Sequence, residues 1–587
     1  MKLSDYIVEF LEKNRVDLVF ELCGGSIIHL LDSLHKSKSV KIISLHHEQA
    51  AAIAAEGFAR SKGDIGVAMA TSGPGATNMI TGIASCFFDS VPCLFITGQV
   101  NTYEFKFNKP VRQIGFQETD IVSIVKPIVK YPELLDDSSK IRYCLEKAFY
   151  LARSGRPGPV LLDIPMNIQR HEIIPSKLKG FIPAPVNPSC KAKNIRLKTI
   201  IKELNSASRP VILAGGGVRI SKAQEELKIL VDKTHIPVVN TLMGVDAFAH
   251  DNRFYSGMLG SYGNRYANLA VANSDLILAL GTRLDTRQTG TDQKSFARGA
   301  KVIHVDIDKS ELNNKIKADI PVNADVNQFL KILNRSLGSF DYHRLDHWNS
   351  VICKYKKDYP SFSLPKNKSI SPNYFMNVFS GYLPKDAVLS VDIGQNQIWA
   401  AQSILIKKNM RFYTQGGMGA MGSALPLSIG AAFAFPKRTA VAISGDGGFQ
   451  LNIQELQSVF HYRLNIKMVI INNSCYGMVR QFQEQYFNSV FQSTVIGYSH
   501  PDFVKLALAY KIKALRLSEN KSIKKACQWL FADSGPALLE VNIPMHAQAL
   551  PKLSVNRPIE DQDPLLPREE LKRLMINQYS IGRKNEK

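Results

Sequence analysis

Short apolar runs rich in Val, Ile and Leu alternate along the chain with segments of helical periodicity. The runs are VAMATSG, CLFITGQ, VLLDIP, PVILAGGG, LILALGT, KVIHVDID, VLSVDIG, AVAISGDG and KMVIINN, and most of them end in glycine, aspartate or asparagine. Near-continuous hydrophobicity marks strands buried on both faces, so the rhythm predicts α/β domains built on parallel sheets. Ligands of such sheets sit at the carboxyl ends of the strands. The polar ends of the runs are therefore where chemistry is expected.

Two proline-rich stretches, IPAPVNPSCKAKN near 182–194 and SLPKNKSISPNY near 363–374, read as linkers. They divide the chain into domains at 1–182, 190–345 and 365–550, with 551–587 as a C-terminal arm ending in a short helix. A length of 587 residues suits three cores rather than one. The start, MKLSDYIVEFLEKN, has acidic residues among its apolar positions and reads as an amphipathic helix, not a signal peptide. The longest apolar run, ALPLSIGAAFAF, is broken by Pro426, Ser428 and Gly430 and is too short to span a bilayer.

Composition adds little to this picture. The formal charge of +22 could suggest nucleic acid or an anionic membrane. However, the lysines are scattered and form no block, so a basic solvated surface is expected, with neither partner. Eight cysteines without a CxxC read as free thiols in a reducing compartment, and a cytoplasmic protein follows.

The candidate chemistry starts at GDGGFQLNIQELQSVFHYRLNIKMVIINN, residues 445–473. Strand AVAIS delivers Gly445, Asp446, Gly447 and Gly448 into a turn, where missing β-carbons let backbone amides approach a phosphate. Between Gly447 and Asn472 lie 24 residues, enough for a helix and a return strand that sets Asn472-Asn473 beside Asp446. A carboxylate, an amide oxygen and a main-chain carbonyl are hard ligands that suit Mg²⁺ held partly by phosphates. A glycine-rich turn with a capping aspartate is the plainer alternative.

Taken together, GDG and NN at this spacing resemble the thiamin-diphosphate motif of the decarboxylase and acetolactate synthase superfamily. The resemblance extends over most of residues 1–550 and implies three doubly wound parallel-sheet domains. They would bind, in order, the pyrimidine of thiamin diphosphate, a flavin, and the diphosphate with Mg²⁺. It implies that Asp446, Asn473 and the carbonyl of Cys475 hold Mg²⁺. The diphosphate would meet Gly445, Gly447, Gly448 and the loop Gly394, Gln395, Asn396 and Gln397, with Gly419, Gly477 and Met478 also at the cofactor. Met421, in GGMGAMG, matches the large apolar residue on which the cofactor bends; core packing is its alternative reading.

A second constellation, HHEQAAAIAAEGFARSKG followed by TSGPGATN (71–78), matches the family's proton-transfer segment. On that match Glu48 meets the aminopyrimidine and starts catalysis; without it, Glu48 would read as a solvated helix cap. Gly25, Phe116 and Gln117 join it as catalytic-site positions, the last two from GFQETD. In the family these parts meet across a subunit interface, so a homodimer or dimer of dimers is implied, with room for a regulatory small subunit.

The turn PVILAGGG carries Ile220 where a GxGxxG motif needs glycine, so no nucleotide site follows from it alone. Residues 261–290 and 301–312 nevertheless resemble the family's FAD-binding middle domain, which implies Gly216, Arg283 and Asp306 as flavin contacts. Arg287 matches an arginine near the acceptor carboxylate, with a flavin contact or surface ion pair as the alternative.

Three departures from the family concern the acceptor. The usual tryptophan after Gly-Met-Val-x-Gln is Phe482, the loop NTYEFKFNKPVRQIG is several residues longer than expected, and PIEDQDPLLPREEL replaces a short glycine-rich ending. The expected activity is decarboxylation of pyruvate and transfer of the two-carbon unit to a 2-oxo acid, as in branched-chain amino acid biosynthesis. Transfer to a nucleotide-activated keto-deoxysugar is a second reading drawn from the departures. A non-catalytic flavoprotein is a third, opposed by the presence of both Glu48 and Asp446.

Overall fold

The computed structural model describes residues 1–183, 196–365 and 367–577. Residues 184–195, which hold most of the first expected linker, lie outside them, as do Lys366 in the second and the last ten residues.

The apolar runs form three sheets of six strands, and every strand pair in them is parallel. The first contains β1 (Leu18–Leu22), β2 (Lys41–Ser44), β3 (Gly66–Ala70), β4 (Cys93–Gln99), β5 (Tyr131–Leu134) and β6 (Val160–Pro165) in the order β2-β1-β3-β4-β6-β5. The second contains β7 (Pro210–Ala214), β8 (Val238–Asn240), β9 (Tyr255–Met258), β10 (Leu276–Leu280), β11 (Lys301–Asp306) and β12 (Ile320–Asn323), ordered β12-β11-β10-β7-β8-β9. The third, of β13 (Val388–Val391), β14 (Arg411–Tyr413), β15 (Ala440–Gly445), β16 (Ile466–Asn472), β17 (Lys513–Leu517) and β18 (Ala537–Asn542), repeats the first order as β14-β13-β15-β16-β18-β17.

In each sheet the chain crosses once to the other side of its first strand, and a crevice opens at that switch point. The switch points fall between β1 and β3, between β7 and β10, and between β13 and β15. Each lies beside a polar or glycine-rich run end picked out in the sequence. Three doubly wound α/β domains are thus present, as the pattern of apolar runs predicts.

The first and third domains are joined by two helices, Glu48–Lys62 and Ala424–Ala434. Both are apolar or small-sided almost all round, which a helix tolerates only when buried on every side. A β-carbon on Gly57 would stand 2.3 Å from the Leu427 carbonyl oxygen, and one on Gly430 would stand 2.0 Å from that of Ala54. Glycine at these two crossings therefore sets the close approach. The run ALPLSIGAAFAF is this inner helix, and among the described residues no helix is long and apolar enough to cross a membrane.

The same contacts fix direction. Gly57 lies at Leu427 and Ala54 at Gly430, so the helices run antiparallel. Glu48, at the start of one, and Ser423, before the start of the other, stand at opposite ends of the pair. At a rise of 1.5 Å per residue that is a separation of roughly 20 Å.

After Leu550 the chain turns back onto the middle domain, where Leu553, Ile559 and Leu571 are buried. Asn268 donates to the Ile559 carbonyl at 2.8 Å and the Leu553 amide donates to that of Ser261 at 2.6 Å. The described part of the C-terminal segment is a packed strap, not an extended arm.

Candidate active site

At the third switch point the ends of β13, β15 and β16 bring together Asp446, Asn473, Cys475 and Gln395. Asp446 is 1% exposed, and Tyr498 donates to its Oδ2 at 2.7 Å. The Asn473 amide nitrogen donates to Gln395 Oε1 at 3.1 Å. This turns Asn473 Oδ1 toward two other oxygens, Asp446 Oδ1 at 3.2 Å and the Cys475 carbonyl at 2.8 Å. Reversing the amide would convert these contacts into hydrogen bonds. Gln395 Nε2 is committed to Gln481 and the Ala547 carbonyl, so its Oε1 takes the Asn473 amide, and Asn473 Oδ1 then faces both other oxygens with no proton between.

Such a cluster is repulsive until a cation joins it. Adjacent oxygens of an octahedral Mg²⁺ shell with bonds of 2.0–2.1 Å lie about 2.9 Å apart, close to the spacings found here. Burial also pushes the Asp446 carboxyl above its ordinary range, and among the described residues no lysine or arginine pairs with it. A bound divalent ion would reverse that shift. The donor set fits Mg²⁺. The Cys475 thiol points elsewhere, 3.7 Å from the Met545 carbonyl, and burial pushes it up to about 11, so it is no nucleophile.

Loops around this cluster follow from a carboxylate absent from the sequence-based candidates. Asp392, fully buried at the end of β13, accepts from the Gly422 amide at 2.9 Å, the Ser423 amide at 3.2 Å and Ser444 Oγ at 2.8 Å. A β-carbon on Gly448 would stand 2.5 Å from Asp392 Oδ2, and one on Gly447 would stand 2.3 Å from the Tyr476 ring. These glycines therefore make room for protein side chains, where the sequence suggested room for a phosphate. Gly477 likewise admits Gln395 and Asn473, at 2.1 and 2.4 Å from its absent β-carbon. Gly394 (φ +130°) and Gly419 (φ +66°) hold backbone conformations closed to most side chains. Asn396 Nδ2 donates to the Asp392 carbonyl and Gln397 Nε2 to Thr414, while Gln397 Oε1 is buried without a partner. Gly445, beside Asn396, leads into Asp446. Met421 is partly exposed in the loop just before Gly422.

That loop is braced from the first domain by a buried charge cluster. Arg60 pairs with Glu56 at 2.7 Å and Asp89 at 2.9 Å; Asp89 accepts from the amides of Gly416 and Gly417, and Glu56 from Gln415 at 3.0 Å. One guanidinium serves two buried carboxylates, and burial leaves the Glu56 carboxyl raised to about 7. The folded protein thus takes up a proton on Glu56 between pH 4.5 and about 7 that the unfolded chain does not, so this contribution to stability is lost as pH rises through that window. Glu56→Gln is expected to show a smaller fall in melting temperature from pH 5 to pH 8 than the unmodified protein. Equal falls would show that Glu56 does not titrate there.

Glu48 stands at the first switch point, at the start of its helix, where the preceding His47 ring accepts from the Gln49 amide. It is 7% exposed, Asn78 donates to its Oε2 at 2.9 Å, and the absent β-carbon of Gly75 leaves 3.2 Å to its Oε1. Gly25 lies nearby at the end of β1 with open space around it; the tight packing there belongs to Gly24, against Thr71. Gln117 (φ +64°) packs its backbone on Gly73, in the TSGPG turn. Phe116 is 86% exposed, an unusual state for a ring beside a catalytic group. Glu118 anchors the long loop by accepting from the amides of Lys106, Ile114 and Gly115.

Arg283, Asp285 and Arg287 line one side of a small cleft of about 50 Å³ between the middle and third domains, with Ile398 and Gly416 on the other. Arg283 pairs with Asp285 at 3.2 Å, while Arg287 is exposed toward Tyr262. Tyr262 in turn donates to Met478 Sδ at 3.4 Å, which ties this cleft to the helix Gly477–Tyr486. Phe482 on that helix is 47% exposed and lies 4.7 Å from the Tyr486 ring. Gly216 opens the short helix after β7, and Asp306 ends β11, where burial raises its carboxyl to about 6. The structure therefore gathers the metal and diphosphate candidates at one place, sets Arg283 and Arg287 in the adjoining cleft but Gly216 and Asp306 outside its lining, and leaves Glu48 with Gly25, Phe116 and Gln117 at the far end of the helix pair.

Comparison with known proteins decides the family. Residues 1–124 match the thiamine pyrophosphate enzyme N-terminal TPP binding domain, 197–333 the central domain and 392–541 the C-terminal TPP binding domain. The chain is 36% identical over 551 residues to the acetolactate synthase large subunit of Lactococcus lactis, covering 94% of each. It is 38% identical over 566 residues to the probable acetolactate synthase large subunit of Methanocaldococcus jannaschii, covering 94% of this chain and 93% of that one. This chain belongs to the acetolactate synthase family. The similarity reaches the plant enzymes: acetolactate synthase 2, chloroplastic, of Nicotiana tabacum is 37% identical over 570 residues, 94% of this chain and 83% of that one. As a member of the family it is a thiamin-diphosphate-dependent transferase that forms carbon–carbon bonds. Nothing in these matches supports the nucleotide-sugar reading or the non-catalytic one.

Proposed function

We propose that this protein decarboxylates pyruvate and joins the two-carbon unit to a second 2-oxo acid, with thiamin diphosphate and Mg²⁺ as cofactors. The proton-free oxygen cluster of Asp446, Asn473 and Cys475 carries the reading, because it suits a cation bridging to a diphosphate and little else. When bound, thiamin diphosphate supplies the electron sink for loss of CO₂. Asp446, Asn473 and the Cys475 carbonyl would hold the ion, and the loops ending β13 and β15 would receive the diphosphate. Arg287, exposed at the cleft, offers a planar bidentate partner to the acceptor carboxylate, with Phe482 beside its side chain.

Glu48 lies roughly 20 Å along the helix pair from Ser423, whose amide donates to Asp392 beside the ion cluster, and this separation within one chain supports a homodimer. A second copy would bring its Glu48, Gln117 and exposed Phe116 to the ion site of the first. The acceptor test is direct: purified protein with both cofactors and pyruvate, assayed for CO₂ and products with 2-oxobutyrate and a nucleotide keto-deoxysugar in competition. Preference for the oxo acid is expected, and Arg287→Ala should weaken its use by about 1.5–3 kcal/mol. A strong preference for the sugar would overturn the acceptor assignment.

FAD is proposed for the middle domain, whose strand order is that of dinucleotide-binding folds and whose cleft carries Arg283. Gly216 and Asp306 stand at the ends of its strands β7 and β11. Purified protein should show flavin absorbance without accumulating reduced flavin during turnover, since decarboxylation and ligation are redox-neutral together. A colourless, fully active preparation would remove FAD from the reading.

A further inference from the structure

The pair Asn472-Asn473 divides its work: Asn473 faces the ion cluster and Asn472 faces away. Asn472, 5% exposed, bridges two partners. Its Nδ2 donates to Glu540 Oε1 at 2.8 Å, and its Oδ1 accepts from the Ser474 amide at 3.0 Å. Glu540, on the adjacent β18 and 2% exposed, accepts through Oε2 from Arg516 Nε at 2.8 Å. Arg516, on β17, also donates to Asp502 at 2.7 Å. A continuous relay thus runs from the sheet edge to one main-chain amide.

That amide belongs to a constrained residue. Ser474 has φ +55°, the left-handed region, which a residue with a β-carbon adopts only against steric repulsion. The turn at Ser474 reverses the chain so that the Cys475 carbonyl faces Asn473 Oδ1 at 2.8 Å. If Ser474 relaxed to an ordinary conformation, the carbonyl would leave the cluster.

We propose that Asn472, Glu540 and Arg516 are positioning residues for the divalent cation, holding the Ser474 turn and through it the third oxygen ligand. This rests on the assignment of Asp446, Asn473 and the Cys475 carbonyl as ligands. Glu540 and Arg516 lie outside the GDG–NN motif, on strands that contribute no ligand.

The test uses the full-length protein with thiamin diphosphate and Mn²⁺ as the probe, its affinity read by electron paramagnetic resonance. Asn472→Ala and Glu540→Gln should each weaken Mn²⁺ binding by ~10–100-fold, the range for groups that orient metal ligands. The glutamine keeps its shape but must turn an amide donor toward either Arg516 or Asn472. Ser474→Gly added to Asn472→Ala should recover several-fold in affinity, because glycine takes the left-handed turn without steric cost. A packing role for Asn472 would give no such recovery. Melting in metal-free buffer separates misfolded variants, and if Glu540→Gln melts early the Asn472 and Ser474 pair decides alone. Mn²⁺ affinity within twofold of the unmodified protein, or no recovery in the double variant, would overturn the proposal. Failure of the ligand assignment looks different: Asp446→Ala would then bind Mn²⁺ as the unmodified protein does.

Discussion

Asp446→Ala is expected to abolish activity and retention of thiamin diphosphate together. The aspartate is the one formal negative charge in the oxygen cluster, and it is buried at the end of β15, where water cannot replace it. Without it the ion would face two neutral oxygens, Asn473 Oδ1 and the Cys475 carbonyl, too weak a set to hold Mg²⁺ in competition with water. The diphosphate would then lose its bridge to the protein. Removing Asp446 also removes a buried carboxyl that burial holds above its ordinary range, so the metal-free variant should be no less stable than the metal-free parent. The measurement is a pair: equilibrium dialysis of thiamin diphosphate with and without Mg²⁺, and thermal melting without it. Tight cofactor binding by Asp446→Ala in the absence of Mg²⁺ would refute the metal bridge.

The parts of the site that were legible in the sequence are those fixed by strand ends. A doubly wound sheet presents its ligands where strands stop, so the run ends in AVAISGDG and KMVIINN point to Asp446 and Asn473. The supporting groups were harder to see because they come from elsewhere in the chain. Glu540 sits inside the buried strand ALLEVN, and nothing in that run distinguishes it from a surface glutamate until β18 is known to flank β16. Tyr498 reaches Asp446 from an irregular segment with no periodicity to read. Glu56 and Arg60 could have been suspected, since two charges inside AAEGFAR interrupt an otherwise small-sided helix that is buried all round. Glycine was the least transparent signal: Gly447 and Gly448 look like a phosphate cradle in sequence, yet the space they free is filled by Tyr476 and Asp392.

Glu48→Gln should leave cofactor binding largely intact and slow exchange of the thiazolium C2 proton of bound thiamin diphosphate by ~10²-fold or more, the scale for a positioned proton-transfer group. The structure gives this substitution a specific meaning. Asn78 donates to Glu48 Oε2, so a glutamine will keep its carbonyl oxygen there and present its amide nitrogen at the other position. On the role proposed for Glu48, that position, left open by Gly75, would have to accept the aminopyrimidine proton, and the variant would offer a donor instead. Shape and packing stay the same, and only proton affinity is lost. Asn78→Ala tests the same geometry from the other side: the carboxylate remains but its orientation is freed, so exchange should slow by less, about the tenfold expected from one lost hydrogen bond to a charged group. Both are read by acid quench and proton NMR, which reports the exchange step independently of the acceptor. If Glu48→Gln exchanged the proton as fast as the unmodified protein, the glutamate would have no part in the proton transfer, and its place at the far end of the helix pair would no longer argue for a site shared between two chains.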